Sequence, residues 1–456
     1  MLCRLFCALL FVAWTAERPV ADDQILYCGL WRSPFQVLGP LFAIVPVVSQ
    51  PVWRILVFLT APIVFLRPGA FRQRPWILDG ALLVSALSIG VTFAWGVSRG
   101  GSPYQAYFQL NAFLTALLVA WLLTAVIRTP RHLKMLGITI VSAAIVRGTL
   151  ATYFYLFHVR GRALDPFPQY MTTHDDSVLF TAGLLTLISW SLVRGRLKTW
   201  LFSAPAIGIL LVAIVVNNRR LAWIELLLGL AVLYRLLPSG RVRWRINLLA
   251  LLLTPVVLLY VAVGWGRQGP LFAPVRAMST TGSSEDNSSL ARHEENANLT
   301  QTLRVAGNPL FGTGWGRPYE KITSWYANFG AEWSQYLYLP HNSLLGIAVF
   351  GGLTGLFGIW LVVPVTALLA SGGYHGASQA IERAAAMTAI AILPAYAAQC
   401  FGDIGFQSFT CGMILSVAMA AAGKTYAWAG PPRSAPRKVG GRQQDAPVDP
   451  TPLGAA

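Results

Sequence analysis

Adjacent arginines, Arg219 and Arg220, stand in the run Val216-Asn217-Asn218-Arg219-Arg220-Leu221-Ala222-Trp223, between two apolar stretches. A planar guanidinium meets phosphate oxygens two at a time and keeps its charge at any working pH. The pair could therefore hold an anion, with Asn217 and Asn218 as extra donors; simple snorkelling to a membrane interface is the alternative reading. Arg160 and Arg162 make a second pair in His158-Val159-Arg160-Gly161-Arg162-Ala163-Leu164-Asp165. Together the four would suit a diphosphate, or Arg160 and Arg162 could pair with Asp165, Asp175 or Asp176.

His341 stands in Leu339-Pro340-His341-Asn342-Ser343-Leu344, where a long polar segment meets an apolar one. A neutral imidazole there could take a proton from a hydroxyl, since its reference pKa lies near working pH; capping or packing is the plainer role. Asn342 or Ser343 would serve as helix N-cap. Between Trp315 and Tyr338 aromatics are dense, among them Trp315, Trp325 and Trp333, and such rings either anchor at an interface or stack on a sugar face. The run Asn308 to Gly316 is glycine-rich without the GxGxxG spacing of a dinucleotide loop, and tight turns explain it better. Glu225 and Arg147 fall inside apolar stretches, where ionisable groups are functional candidates by default, although Glu225 could simply pair with an arginine. Cys3, Cys7, Cys28, Cys400 and Cys411 show no CxxC and no neighbouring His cluster, so packing fits them better than a metal or redox site.

These residues need a scaffold, and composition indicates which kind. The 456-residue chain is 55% hydrophobic and 12% charged, against roughly 45–50% and about 25% for soluble domains. A soluble globular protein is excluded. Apolar stretches at 33–49, 51–66, 76–97, 107–127, 134–157, 177–194, 199–217, 221–237, 246–265, 342–370, 384–400 and 406–422 predict twelve membrane spans in an all-α polytopic protein. Residues 5–14 are a shorter apolar run, open between a cleaved signal, an interfacial helix and a thirteenth span.

The 35 basic residues outnumber 18 acidic ones, which in a soluble chain would suggest nucleic acid. Their distribution suggests topology instead. Nineteen fall in the even-numbered loops and the tail, whereas the short odd-numbered loops hold five: Arg99, Arg160, Arg162, Arg219 and Arg220. The positive-inside rule then predicts cytoplasmic termini and outward-facing odd loops. The expected organisation is an N-terminal segment over 1–32, a first bundle over 33–265, a large outer loop over 266–341, C-terminal helices over 342–422 and a disordered basic tail over 423–456. The outer loop, between the ninth and tenth spans, is too long to be structureless and predicts a folded cap with a helix through Leu290–Val305.

Three motifs occur in order around that loop: Arg220-Leu221-Ala222-Trp223 opening a span, Asn-Pro-Leu-Phe-Gly-x-Gly-x-Gly from Asn308 to Gly316, and His341-Asn342-Ser343-Leu344-Leu345 opening a span rich in glycine. In these the chain resembles the O-antigen ligase and polymerase superfamily of bacterial cell envelopes. The resemblance implies transfer of a glycan from an undecaprenyl-diphosphate carrier to an acceptor hydroxyl, without metal or other cofactor, at the periplasmic face of the bacterial inner membrane. The acceptor would be lipid A core or a growing polysaccharide, and nucleic acid would be no partner. Arg220 matches the family arginine and His341 the family histidine, both catalytic by that resemblance; Arg219 is an adjacent departure, and Arg160 and Arg162 match an outer-loop arginine position loosely. A polymerase of the same superfamily is the near alternative. A transporter or flippase of an envelope lipid is the distant one, although the chain has no convincing internal repeat of the kind transporters usually carry.

Overall fold

The computed structural model describes residues 1–16, 52–67, 69, 73–161, 171–238, 240–267, 287–322 and 336–430, with isolated positions at 272, 274, 275 and 279. Among the described residues every regular element is a helix: α1 (Leu2–Ala16), α2 (Val52–Phe65), α3 (Trp76–Ser98), α4 (Pro103–Val126), α5 (Pro130–Phe154), α6 (Asp175–Arg194), α7 (Leu197–Asn217), α8 (Arg220–Leu236), α9 (Arg241–Gly264), α10 (Asn287–Ala306), α11 (Ser343–Leu353), α12 (Val362–Gly376), α13 (Ala380–Gly402) and α14 (Phe409–Ala429). Local chemistry sets their limits. Ser102 caps α4 by accepting the Gln105 N–H, and Pro103 takes the first helical position, where no N–H is needed. Left-handed Gly195 closes α6 and left-handed Asn218 closes α7. Gln379 and Glu382 form a reciprocal capping box at the start of α13.

Among the described residues, eight helices are long and apolar enough to cross a membrane: α3, α4, α5 with its π-helical extension to Val159, α6, α7, α9, the continuous α11 to α12 unit, and α13. That is fewer than the twelve apolar stretches. Stretch 33–49 lies outside the described residues; 51–66 is the 14-residue α2, short of the ~20 residues a span needs; 221–237 is the 17-residue α8; and 406–422 falls in α14, which is not among the eight. The N-terminal run is a helix packed into the bundle, with Phe6 and Trp14 buried and the Trp14 indole donating to the Thr410 carbonyl at 3.4 Å. Helix α13 is central, packing on α5, α6, α8, α12 and α14. By contrast α9 buries only Gly264 along its length.

The glycine-rich run is woven into a broken helix. Gly352 has φ +57° and interrupts α11, and the chain continues through a π turn (Thr354–Gly358) and a 3-10 turn (Ile359–Leu361) into α12. Backbone groups freed by such a break would be orphaned inside a membrane. The loop satisfies them: Thr313 and Gly314 donate to the Val349 and Phe350 carbonyls at 2.8 and 3.1 Å, while Leu353 and Thr354 donate to the Pro309 and Leu310 carbonyls at 2.9 Å. Gly314 is required twice over, for its φ of +84° and because a Cβ there would lie 2.1 Å from the Gly96 Cα.

Trp315 is also part of this plug. It is fully buried, bonds Thr92 Oγ1 through its indole N–H at 2.9 Å and lies against Phe350 and Phe406. This corrects the expectation of a glycan-contacting or interfacial ring, because no face of the indole is left for a sugar. Trp325, Trp333 and Arg162 lie outside the described residues.

Candidate active site

The ends of α7 and α13 and the starts of α6, α8 and α11 meet at one end of the bundle, and α10 lies across them. On α10 the buried stripe Glu295, Asn298, Leu299 and Thr302 follows helical spacing. Three of its four members are polar because they receive backbone N–H groups. Asn298 Oδ1 accepts from Ile322 at 3.0 Å and Thr302 Oγ1 from Glu320 at 2.9 Å.

Glu295, also fully buried, does more. Its Oε1 accepts the backbone N–H of His341 at 2.6 Å and of Asn342 at 3.3 Å, and its Oε2 meets His341 Nδ1 at 2.9 Å. One carboxylate thus fixes both the backbone and the ring of His341. Tyr336 stacks on that ring at 5.1 Å, and Asn342 caps α11 by accepting the Leu345 N–H at 3.0 Å. With Nδ1 engaged, Nε2 is the ring nitrogen left for chemistry. Burial pulls the imidazole pKa down, but the Glu295 hydrogen bond and charge, with Asp403 adding, outweigh it and raise the value above that of an ordinary histidine.

Asp403, at the end of α13, anchors a second group. It is buried, pairs with His174 Nδ1 and lies 3.8 Å from the Arg292 guanidinium of α10. Burial alone would raise its pKa; His174 above all, then His341 and Arg292, reverse that and hold it well below the usual carboxylate range. His174 also meets Arg219, whose Nη1 lies 2.9 Å from Nδ1 and 3.2 Å from Nε2. One tautomer satisfies both neighbours: Nδ1–H donates to Asp403 and Nε2 accepts from Arg219. Burial first, and Arg219 after it, lower the His174 pKa despite Asp403. Ser343 links the two groups, donating to the Asp403 carbonyl at 3.0 Å. Arg292, His174 and His341 keep 37%, 29% and 18% of their side chains exposed, so a ligand can reach the cluster.

The sequence-derived candidates divide accordingly. Arg219 and His341 share one cluster, and half-buried Arg220 opens α8 beside it. Arg160 is exposed after the π turn, where its backbone N–H bonds the Tyr155 carbonyl, away from the cluster. Its expected partner Asp176 is instead bound by Arg147, which is buried and forks onto both carboxylate oxygens at 3.0 and 2.5 Å. Asn217 does not face outward as an anion donor: its Oδ1 accepts from the backbone and hydroxyl of Thr172 at 2.9 and 3.0 Å. Among the described residues Glu225 pairs with no arginine; its Oε2 accepts from Thr181 Oγ1 at 3.5 Å.

Residues 205–360 match the O-antigen ligase family. The matched segment, about a third of the chain, contains Arg219, Arg220, Arg292, Glu295 and His341, while His174 and Asp403 flank it on either side. No curated protein matches the chain. That partial match and the long apolar helices are together consistent with a membrane protein similar over residues 205–360 to O-antigen ligases.

His174, Arg292, Glu295 and Asp403 were not singled out from sequence. A signal existed for two of them: His174-Asp175-Asp176 is a polar triplet opening an apolar helix, and Asp403 is the lone acid between α13 and α14.

Proposed function

We propose that this protein is a glycosyltransferase that moves a glycan from an undecaprenyl-diphosphate carrier to an acceptor hydroxyl at the periplasmic face of the bacterial inner membrane. The observation that carries the reading is the cluster itself: a carboxylate-held histidine beside two arginines, at the bundle end opposite the basic loops. Arg128, Arg131, Lys134, Arg194, Arg196 and Lys198 all lie at that opposite end, on the α4 to α5 and α6 to α7 connections. The positive-inside rule makes theirs the cytoplasmic end, which turns the cluster outward.

In this reading Arg219, Arg220 and Arg292 hold the diphosphate of the donor. The acceptor oxygen attacks the anomeric carbon of the sugar attached to it, and a carbon–oxygen bond forms. The bond from that carbon to the phosphate oxygen breaks, and its electron pair leaves with the diphosphate. The hydroxyl proton passes to His341 Nε2, and the resulting imidazolium is stabilised by Glu295, much as a triad carboxylate steadies its histidine. Fixed guanidinium groups in a poorly hydrated site neutralise the departing charge without reorganisation. Arg219 is favoured over Arg220 as the key arginine because His174 and the Thr172 carbonyl orient it.

A polymerase of the same family would use the same chemistry with a sugar hydroxyl of a growing chain as acceptor. Purified protein given labelled lipid-linked glycan in liposomes tests the reading. Product forming only when acceptor is present supports a transferase; label crossing the bilayer without acceptor supports a flippase and refutes it.

A further inference from the structure

We propose that a cleft at the basic end of the bundle binds one acyl chain of an anionic phospholipid as a retained, structural ligand. The cleft encloses about 220 Å³ between α5, α6, α13 and α14. Its existence follows from side-chain size. Where α13 and α14 face α5 and α6 they present Ala385, Ala389 and Ala418, and α5 presents Gly137, so four packed helices leave a furrow that none of them fills.

The shape of the furrow suits an acyl chain. Its wall on α13 runs from Ile381 to Ile392, about 16 Å at 1.5 Å per residue, close to half of the ~30 Å hydrocarbon thickness. It therefore reaches from one surface about as deep as a single leaflet.

The mouth suits an anionic headgroup. Lys134 and Trp190 line it, and Arg194 places its guanidinium 4.4 Å from the Trp190 ring. Among the described residues no carboxylate lines the cleft. A tryptophan beside cations is the usual furniture of the headgroup layer, and a lipid phosphate with no compensating cation of its own would be drawn there. The consequence reaches the other end of the molecule, because α5, α6 and α13 also carry Arg147, Asp176 and Asp403. A chain filling the void braces the helices that hold the site.

The test is retention. The full-length protein is extracted in mild detergent from membranes containing both anionic and zwitterionic phospholipids, and bound lipid is counted by native mass spectrometry. About one phospholipid per chain is expected, with the anionic class enriched at least fivefold over its membrane share. Lys134→Gln should erase the enrichment. Ala385→Phe fills the furrow from a half-buried wall position and should lose the lipid while unfolding no earlier than the unmodified protein. Gly137→Leu is a second filling variant, since a Cβ there meets only Thr186 Cγ2 at an ordinary 3.5 Å. Equal retention of zwitterionic lipid, retention untouched by both filling variants, or a second copy of the chain cross-linked across the cleft would each overturn the assignment.

Discussion

Glu295→Gln separates the chemistry of the candidate site from its architecture. The substitution keeps an amide oxygen where Oε1 accepts the His341 and Asn342 backbone N–H groups, so the local fold should survive. It replaces Oε2, 2.9 Å from His341 Nδ1, by an NH2 group that can only donate. Nδ1 must then become an acceptor, the ring proton moves to Nε2, and the nitrogen facing the acceptor hydroxyl can no longer take a proton. The charge-assisted bond to the imidazolium is lost as well, worth about 1.5–3 kcal/mol or a 10- to 100-fold shift in protonation. With the tautomer wrong and the charge gone, transfer should fall by about 10²–10⁴.

The assay is transfer from a lipid-linked glycan by purified protein across a pH series. In the unmodified protein the rate should rise through a midpoint above the ordinary histidine value of about 6.5, because the folded value is raised. In Glu295→Gln the midpoint of any residual rate should fall, since burial is then opposed by Asp403 alone. Stability follows the same sign. A raised histidine contributes stability present below about pH 6.5 and lost as pH rises through its folded value, and Glu295→Gln should remove that alkaline loss. A variant with near-normal rate and an unmoved midpoint would refute the proton-acceptor role. So would a further large loss when Glu295→Gln is added to His341→Ala, because two residues acting as a unit are not additive.

Other consequences are more local. Gly314→Ala should destabilise the fold by about 2–6 kcal/mol, from left-handed strain plus collision with backbone, and remove the protein from the membrane; Gly90→Ala on the exposed face of α3, with nothing within 4 Å of its Cβ, should not. Arg147→Met should cost about 3–5 kcal/mol by stranding buried Asp176, and Arg147→Met with Asp176→Leu should recover most of it, as read by thermal unfolding. Reporter fusions near residue 240 should report the cytoplasm and fusions near residue 295 the periplasm; the reverse would put the cluster on the wrong side.

The sequence disclosed the helices and the ends at which to look. Apolar stretches from 76 to 265 became helices within a few residues, because prolines, glycines and arginines punctuate them; 342–370 instead became two helices broken at Gly352, and 406–422 became the longer Phe409–Ala429. The predicted helix at Leu290–Val305 became Asn287–Ala306. His341 and Arg219 were visible as polar residues at helix starts. Their partners were not, since Glu295, His174 and Asp403 reach them from elements 46, 45 and 60 or more residues away, and no local spacing encodes such contacts. Trp315 was misread for a related reason: an aromatic beside glycines looks the same in sequence whether it faces a sugar or plugs a broken helix.

The central claim rests most directly on His341. Purified His341→Ala, matched to the unmodified protein in membrane abundance and thermal midpoint, should bind labelled lipid-linked glycan normally and fail to transfer it to acceptor, with a rate at least about 100-fold lower. Transfer at the unmodified rate would contradict the account.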